Sequence, residues 1–339
     1  IPLHLLRNIC AKGLRHCYDL PDMVRRVKPN PNSGKSPRMS KLVTIYGGSG
    51  FVGRYVARRM AKEGWRVRVA VRNPNEAMFV KPYGAVGQVI PVLCNIRDDA
   101  SVAAAAVGAD AVVNCVGTLT EVGKNTFDAV FAEAPGRIAR AAVNAGASRM
   151  VHISAIGADD ESDSQYARAR AAGEAAVLAE MPDAVILRPS IIFGQEDDCF
   201  NRVAGMSRFG PVLPVIGAES MFQPVYVDDV AAAAVRGVVD DTVQGIYELG
   251  GPDALTFRAL MQQMLDVVRR RRMILNIPFP IARLMSFGFG IAEFLSLGII
   301  KNPATKDQII LLANDNVVAD GARGLGDLGI EPAAMDPRL

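Results

Sequence analysis

The sequence has few of the residues that bind metal ions or form disulfides. It contains three histidines and five cysteines. The cysteines are odd in number, scattered, and form no Cys-x-x-Cys pair; they are Cys10, Cys17, Cys94, Cys115 and Cys199. We therefore expect no metal site, and we expect a reducing compartment rather than a disulfide-bonded secreted protein.

The chain also lacks an uninterrupted apolar run of the length that crosses a membrane. A spanning helix needs about 20 consecutive apolar residues. The longest apolar stretch, residues 273–300, is interrupted by Pro278, Pro280, Arg283 and Glu293. Half of all residues are hydrophobic and 22% are charged, which excludes a disordered chain. At about 150 residues per domain, the length predicts about two units.

Excess positive charge is lacking outside the N-terminus. The net charge is +3, and residues 1–38 carry eight Lys or Arg against two Asp, which leaves −3 for residues 39–339. A body without a concentrated positive face is not expected to bind nucleic acid. Met39 resembles a start codon and leads into a strong strand, so residues 1–38 are treated as a basic N-terminal extension and excluded from the fold.

Strand-like and helix-like runs alternate from Leu42 onwards. Repeated β-α-β units with short connections predict an α/β fold with a doubly wound parallel sheet of the Rossmann type. After Pro189 the regular alternation ends, and the composition indicates loops rich in Gly and Pro. We therefore expect a first domain over residues 39–190 and a smaller, mostly helical C-terminal lobe over residues 191–339, with strands that return to the core.

A glycine motif lies between the first predicted strand and the first predicted helix. The run from Gly47 to Gly53 fits G-x-x-G-x-x-G. Glycine lets backbone N–H groups approach a pyrophosphate at a helix N-terminus, where the helix dipole favours an anion. The motif could also be a mere tight turn, but the strand before it, the helix after it and the second strand favour dinucleotide binding. These residues predict an NAD(P) site.

The end of the second predicted strand indicates which nucleotide is preferred. An acidic residue there binds the ribose hydroxyls of NAD, whereas an arginine accommodates the 2′-phosphate of NADP. The sequence has Arg72 at this point and no carboxylate before Glu76. This favours NADPH over NADH, although Arg72 could also be a solvated charge at a strand end.

The stretch from about Lys41 to Val230 resembles the short-chain dehydrogenase/reductase superfamily in its extended and atypical branches. Besides the glycine loop, the matching segments are Cys94-Asn95-Ile96-Arg97-Asp98, Asn114-Cys115-Val116-Gly117, Leu187-Arg188-Pro189-Ser190 and the run from Phe222 to Val230. With the motif and strand-end residues above, the resemblance implies a cofactor site formed by Gly47, Ser49, Gly50, Phe51, Val52, Gly53, Arg72, Asn95, Ile96, Cys115, Val116, Gly117, Ser154, Tyr166, Arg170, Pro189 and Ile192.

The reaction centre of that superfamily is a Tyr-x-x-x-Lys helix with a Ser at the preceding strand end. Ser154 and Tyr166 match two of its positions, but Arg170 stands where the lysine belongs. Arginine keeps the charge but is planar and does not relay protons. Three explanations stay open: an active reductase, a retained cofactor site without turnover, which we favour, or an accidental tyrosine. Ser154, Tyr166 and Arg170 are thus interpreted as vestigial, with no catalytic residue.

A narrower resemblance covers residues 41 to about 320. The segments Leu187 to Asp197, Asn201-Arg202, Thr305 to Ile309 and Asp315 to Val318 are similar to those of the nucleotide-binding accessory subunits of respiratory complex I. This implies a peripheral inner-membrane protein, on the matrix or cytoplasmic side, that holds NADPH in a structural role beside other complex I subunits. The alternatives are a soluble NADPH-dependent reductase or epimerase, and a nucleotide or redox sensor.

The C-terminal lobe contains a basic run followed by apolar residues. Arg269 to Arg272 are four consecutive arginines, and the stretch that follows is rich in Met, Leu, Ile and Phe. A basic edge beside an apolar surface suits an anionic membrane surface or a hydrophobic partner. Residues 269–300 are therefore predicted to contact the membrane, unless a helical substrate lobe buries them.

Overall fold

A computed structural model describes residues 40–118, 120–208, 210–286 and 305–335. The predicted N-terminal extension, residues 1–38, and part of the predicted membrane-contacting region, residues 287–300, lie outside the described residues. The strands are β1 (Leu42–Tyr46), β2 (Arg66–Val71), β3 (Val89–Leu93), β4 (Ala111–Asn114), β5 (Arg149–Ile153), β6 (Val185–Pro189), β7 (Ile192–Phe193), β8 (Val212–Ile216), β9 (Met221–Phe222), β10 (Val225–Tyr226), β11 (Gly245–Leu249), β12 (Leu255–Thr256) and β13 (Met273–Ile277).

Helices connect these strands. The α-helices are α1 (Phe51–Lys62), α2 (Asp99–Ala106), α3 (Ala134–Asn144), α4 (Gln165–Glu180), α5 (Asp198–Met206), α6 (Val227–Val239), α7 (Phe257–Val267) and α8 (Lys306–Leu312). A π-helix at Asp128–Glu133 precedes α3, and 3-10 helices lie at Met78–Tyr83 and Gly326–Leu328. None of the described helices is long and apolar enough to cross a bilayer.

Seven strands form one parallel sheet in the order β11-β6-β5-β4-β1-β2-β3. The order reverses between β1 and β4, and in such sheets a ligand binds at this crevice beyond the carboxyl ends of the strands. One hydrophobic cluster joins α1 and α6 to one face, and a second joins α2 and α3 to the other. The predicted doubly wound Rossmann-type sheet is confirmed.

The C-terminal lobe has its own hydrophobic cluster. Its members come from β8, α5 and α7, with Leu260 and Met261 fully buried. Three two-stranded pairings organise it, β10 with β7, β12 with β9, and β13 with β8. The chain then returns to the large sheet, where the N–H of Glu248 donates to the carbonyl of Arg323 at 2.8 Å.

Candidate nucleotide-binding site

The glycine loop is a close-packed turn at the crevice between β1 and β4. Gly47 has φ +72°, and its N–H donates to the carbonyl of Ala70 at 3.0 Å. A Cβ on Gly47 would lie 2.9 Å from the carbonyl oxygen of Cys115, and one on Gly53 would lie 2.3 Å from that of Gly47. Because a side chain at either position would collide with backbone, this loop requires glycine.

The first turn of α1 lies directly beyond that loop. Gly50 is the N-cap residue, no side chain caps the helix, and its first turn contains no acidic residue. The positive end of the helix dipole is therefore not neutralised by a local carboxylate. Ser49, Phe51 and Val52 flank this end, so the loop and helix form a cradle suited to a phosphate.

Arginines flank the predicted 2′-phosphate position. Arg72 is exposed at the end of β2, and its side chain has no ion-pair partner within the described ranges. Arg54 is engaged instead: it donates to the carbonyl of Ser49 at 3.3 Å, stacks over the Phe79 ring at 5.1 Å and lies 3.5 Å from the Glu196 carboxylate. Within the described ranges, Arg72 thus remains a candidate for the contact to a ligand phosphate.

The remaining predicted loops follow strands whose carboxyl ends share one edge of the sheet. After β3, the N–H of Asn95 donates to Ser101 Oγ at 2.9 Å, and the carbonyl of Ile96 accepts from Arg137 at 2.9 Å. After β4, the N–H of Cys115 donates to the carbonyl of Tyr46 at 2.9 Å. These bonds fix the backbone of both loops.

Val116 and Gly117 continue the loop after β4. The N–H of Val116 donates to Asn114 Oδ1 at 3.1 Å. On the far side of the crevice, the carbonyl of Pro189 accepts from the N–H of Ile156 at 3.1 Å, and Ile192 pairs with Val225. These loops thus follow parallel strands of the sheet that also carries the glycine loop.

Ser154, Tyr166 and Arg170 cluster at the end of β5. Arg170 is 8% exposed; its Nε donates to Tyr166 Oη at 3.1 Å and its Nη1 donates to the carbonyl of Ile153 at 2.8 Å. Ser154 is 2% exposed, and its Oγ has no hydrogen-bond partner among the described residues. A buried hydroxyl without a partner is rare and marks a place where a ligand group or a water can bind.

An aromatic wall holds the Arg170 guanidinium, and the sequence analysis did not identify it. The guanidinium carbon lies 4.0 Å from the Phe131 ring centroid, and the Phe131 and Phe127 rings contact the Tyr166 ring edge-on. Such cation–π contacts are strongest when desolvated, as here. Phe127 and Phe131 are therefore part of the candidate site.

A π-helix places this wall, where the sequence predicts one continuous helix over residues 127–145. Pro135 has no N–H to donate to the carbonyl of Phe131, so an α-helical register cannot continue through this point. A Cβ on Gly173 of α4 would lie 1.9 Å from that carbonyl oxygen. The missing N–H of Pro135 and the missing side chain of Gly173 together permit the close approach. Single π turns of this kind are frequent at functional sites.

His152 lies on β5 two residues before Ser154. It is buried, and its Nδ1 is 3.1 Å from Asn114 Nδ2. Because Asn114 Nδ2 is a donor, Nδ1 accepts and the neutral ring carries its proton on Nε2, which has no partner among the described residues. Burial, with a contribution from the Arg170 charge, lowers the pKa of His152 to about 3. His152 is therefore neutral near pH 7, and its one acceptor nitrogen is engaged by Asn114.

Comparison with known proteins places this site in a family. A family model described as NAD(P)H-binding matches residues 47–203, which include the glycine loop and α4. The mitochondrial NADH dehydrogenase [ubiquinone] 1 alpha subcomplex subunit 9 of Arabidopsis thaliana is 34% identical over 309 residues, 88% of this chain and 76% of the relative. The chain belongs to this family of complex I subunits.

The subunit 9 family is not the only similarity. A ceramide reductase of Caulobacter vibrioides is 31% identical over 241 residues, which cover 70% of this chain and 74% of that enzyme. Among solved structures, gox2253 superposes with a TM-score of 0.64 at 19% identity and covers 86% of this chain and 94% of its own. The structural match concerns the fold alone.

The crevice of this subunit 9 family member fits a nicotinamide nucleotide on three independent counts. The glycine loop leaves no room for a Cβ at Gly47 or Gly53. The N-terminus of α1 has no side-chain cap. The buried Ser154 hydroxyl has no partner among the residues that the structure describes. The described residues include no cluster of three or more His, Cys, Asp or Glu that could hold a metal ion.

Proposed function

We propose that this chain is an accessory subunit of respiratory complex I that binds NADPH tightly as a structural ligand and has no hydride-transfer turnover. The locked Arg170 carries the proposal. Its Nε and Nη1 are both engaged, with Tyr166 Oη and the carbonyl of Ile153, and its plane packs on Phe131. A guanidinium held by two of its nitrogens is fixed in place and always charged. It therefore does not take part in proton transfer, unlike the lysine of a reductase.

The remaining residues of the site have binding roles in this proposal. The Gly47–Gly53 loop and the N-terminus of α1 hold the pyrophosphate, and the loops at Asn95 and Cys115 contact the adenosine half. Arg170 Nη2, which is 4.0 Å from where a Gly117 Cβ would be, reaches toward the ribose. A bound nicotinamide can supply a hydride, but in this proposal its contribution is stability. A ligand whose concentration is a thousandfold above its Kd stabilises the native state by about 4 kcal/mol.

The preference for NADPH over NADH rests on Arg72. It is exposed at the end of β2, without a carboxylate before Glu76. Arg72→Glu should abolish the preference by placing a negative charge beside the 2′-phosphate. NADPH and NADH affinities of the purified protein measure this, with Lys62→Glu at the far end of α1 as a charge-matched control. Unchanged NADPH binding in Arg72→Glu would refute the assignment.

The surface of the C-terminal lobe supports contact with the membrane or with a hydrophobic subunit. Met273, Leu275, Ile281, Leu284 and Met285 are exposed, with Leu284 at 72%. The basic run divides in two: Arg270 and Arg272 donate to carbonyls at the C-terminal end of α5, whereas Arg269 and Arg271 are exposed. Two arginines thus stabilise the lobe, and two remain for an anionic surface or partner.

Isolation from gently solubilised membranes tests the whole proposal. Mass spectrometry would identify the proteins that copurify with the chain and the nucleotide released on denaturation. We expect other complex I subunits, a location at the junction of the peripheral and membrane arms on the matrix or cytoplasmic side, and about one NADPH per chain. Recovery as a free protein with an exchanging nucleotide would contradict it.

A second candidate is an NADPH-dependent reductase. The Caulobacter ceramide reductase favours it, together with the presence of Ser154 and Tyr166 beside the crevice. NADPH oxidation followed by absorbance against a panel of ketones, including lipid ketones, distinguishes the two. Turnover that disappears in Tyr166→Phe, while NADPH binding persists, would establish the reductase and exclude the structural role.

A further inference from the structure

A carboxylate of the C-terminal lobe caps the helix that carries Tyr166 and Arg170. Asp307, the second residue of α8, accepts from the backbone N–H of Gln165 at 2.7 Å and from the Ser164 hydroxyl at 3.0 Å. It also lies 3.4 Å from the N–H of Tyr166. One side chain from a segment 142 residues away in sequence thus holds the first turn of α4.

Asp307 places a carboxylate at the N-terminus of helix α4. Its first turn contains no acidic residue of its own, although carboxylates are favoured at that end of the helix dipole. Ser164 is fully buried, and its Oγ accepts from the N–H of Ala167 at 3.2 Å while donating to Asp307. The local cap and the distant cap are therefore one hydrogen-bonded unit.

The opposite side of α8 is anchored in the C-terminal lobe. Ile309 is fully buried, and Leu312 packs against the lobe cluster of β8 and α7 and accepts from Ser220 Oγ. A capping box formed by Thr305 and Gln308 orders the start of the helix. Helix α8 thus moves with the lobe and reaches α4 through Asp307.

We propose that Asp307 is a positioning residue that couples occupancy of the nucleotide site to the C-terminal lobe. The inference rests on the proposed nucleotide binding. A nucleotide that contacts Tyr166 and Arg170 fixes α4, and Asp307 transmits that order to α8, which follows residues 269–300 in sequence. Because such coupling is reciprocal, a partner that orders the lobe tightens the nucleotide by the same factor.

Hydrogen–deuterium exchange of the full chain, with and without NADPH, tests the coupling. NADPH should slow exchange of peptides covering 47–54, 165–170 and 305–312. In Asp307→Asn, which removes the charge but keeps the shape, protection at 47–54 and 165–170 should persist and protection at 305–312 should be lost. The affinity for NADPH should fall by about 5-fold, the low end of ordinary coupling.

Thr256→Ala is the matched control, because it removes the N-cap of α7 in the same lobe, where Thr256 Oγ1 accepts from Ala259. It should leave protection at 305–312 intact. Ser164→Ala gives an independent route to the Asp307 contact if Asp307→Asn does not fold. Protection at 305–312 that is absent in the unmodified chain, or unchanged in both variants, would overturn the inference. Absence of protection at 47–54 would instead show that nucleotide binding itself fails, and the coupling with it.

Discussion

Replacing Arg170 by lysine tests whether the guanidinium is a structural clamp. Lysine has one side-chain nitrogen and cannot reproduce the two-nitrogen contact of Arg170, whose Nε donates to Tyr166 Oη at 3.1 Å and whose Nη1 donates to the carbonyl of Ile153 at 2.8 Å. Losing one charge-assisted bond at a residue that is 8% exposed costs about 1.5–3 kcal/mol. With an m value of about 3 kcal/mol/M, the urea midpoint of the nucleotide-free protein should fall by about 0.5–1 M.

Arg168→Lys is the matched control, because the same change is made two residues away on the exposed side of α4. Its cost should stay within about 0.5 kcal/mol. Urea unfolding followed by circular dichroism compares the two variants with the unmodified chain. An Arg170→Lys midpoint equal to that of Arg168→Lys would refute the clamp and reopen the reductase function.

Three further outcomes are expected. Gly53→Ala places a Cβ 2.3 Å from the Gly47 carbonyl and should abolish NADPH retention measured by mass spectrometry, whereas Gly205→Ala, where a Cβ meets nothing within 4 Å, should not. Glu174→Gln breaks the ion pair with Arg188, in which the Glu174 side chain is buried, and should lower the free energy of unfolding by about 3 kcal/mol. The control Glu180→Gln, at a more exposed pair, should lower it by less than about 1 kcal/mol. Burial depresses the pKa of His152 to about 3 in the folded state, below its ordinary value of about 6.5. Because the unfolded chain then binds the proton more tightly, the free energy of unfolding should fall as pH falls below about 6.5, by up to about 1.4 kcal/mol per pH unit from this group. If the urea midpoint of a His152→Asn variant changed with pH as steeply as that of the unmodified chain, this prediction would be wrong.

The parts of the molecule that the sequence predicts are those set by short-range patterns. The strand, the glycines and the following helix of the loop at Gly47 to Gly53 are contiguous, so their spacing alone identifies the turn. The position of Arg72 at the end of the second strand and the Tyr166 to Arg170 spacing are equally local. Because each depends on one element and its neighbours, the Rossmann-type fold and the family could be predicted correctly.

The parts that the sequence does not predict depend on long-range approach. Phe131 reaches Arg170 only because a π-helix meets Gly173 of another helix, and Asp307 caps Gln165 across 142 residues. Asp228 illustrates the same limit, because its carboxylate forms a bidentate pair with Arg59, 169 residues away in sequence, at 2.7 and 2.8 Å. No periodicity encodes which distant partner such a side chain meets.

The position of β11 determines when the main sheet can be completed during synthesis. This edge strand, Gly245–Leu249, pairs with β6, yet the chain between them first builds β7 to β10, α5 and α6. While the ribosome is still translating residues 191–244, β6 has an unpaired edge, which is prone to aggregation. Residues that follow β11 then contact this part of the fold: Arg323 packs over the Tyr247 ring, and the N–H of Ala333 donates to Asp229. The edge of β6 therefore stays open until residues 245–249 have been made, and truncation before residue 245 would leave it unpaired.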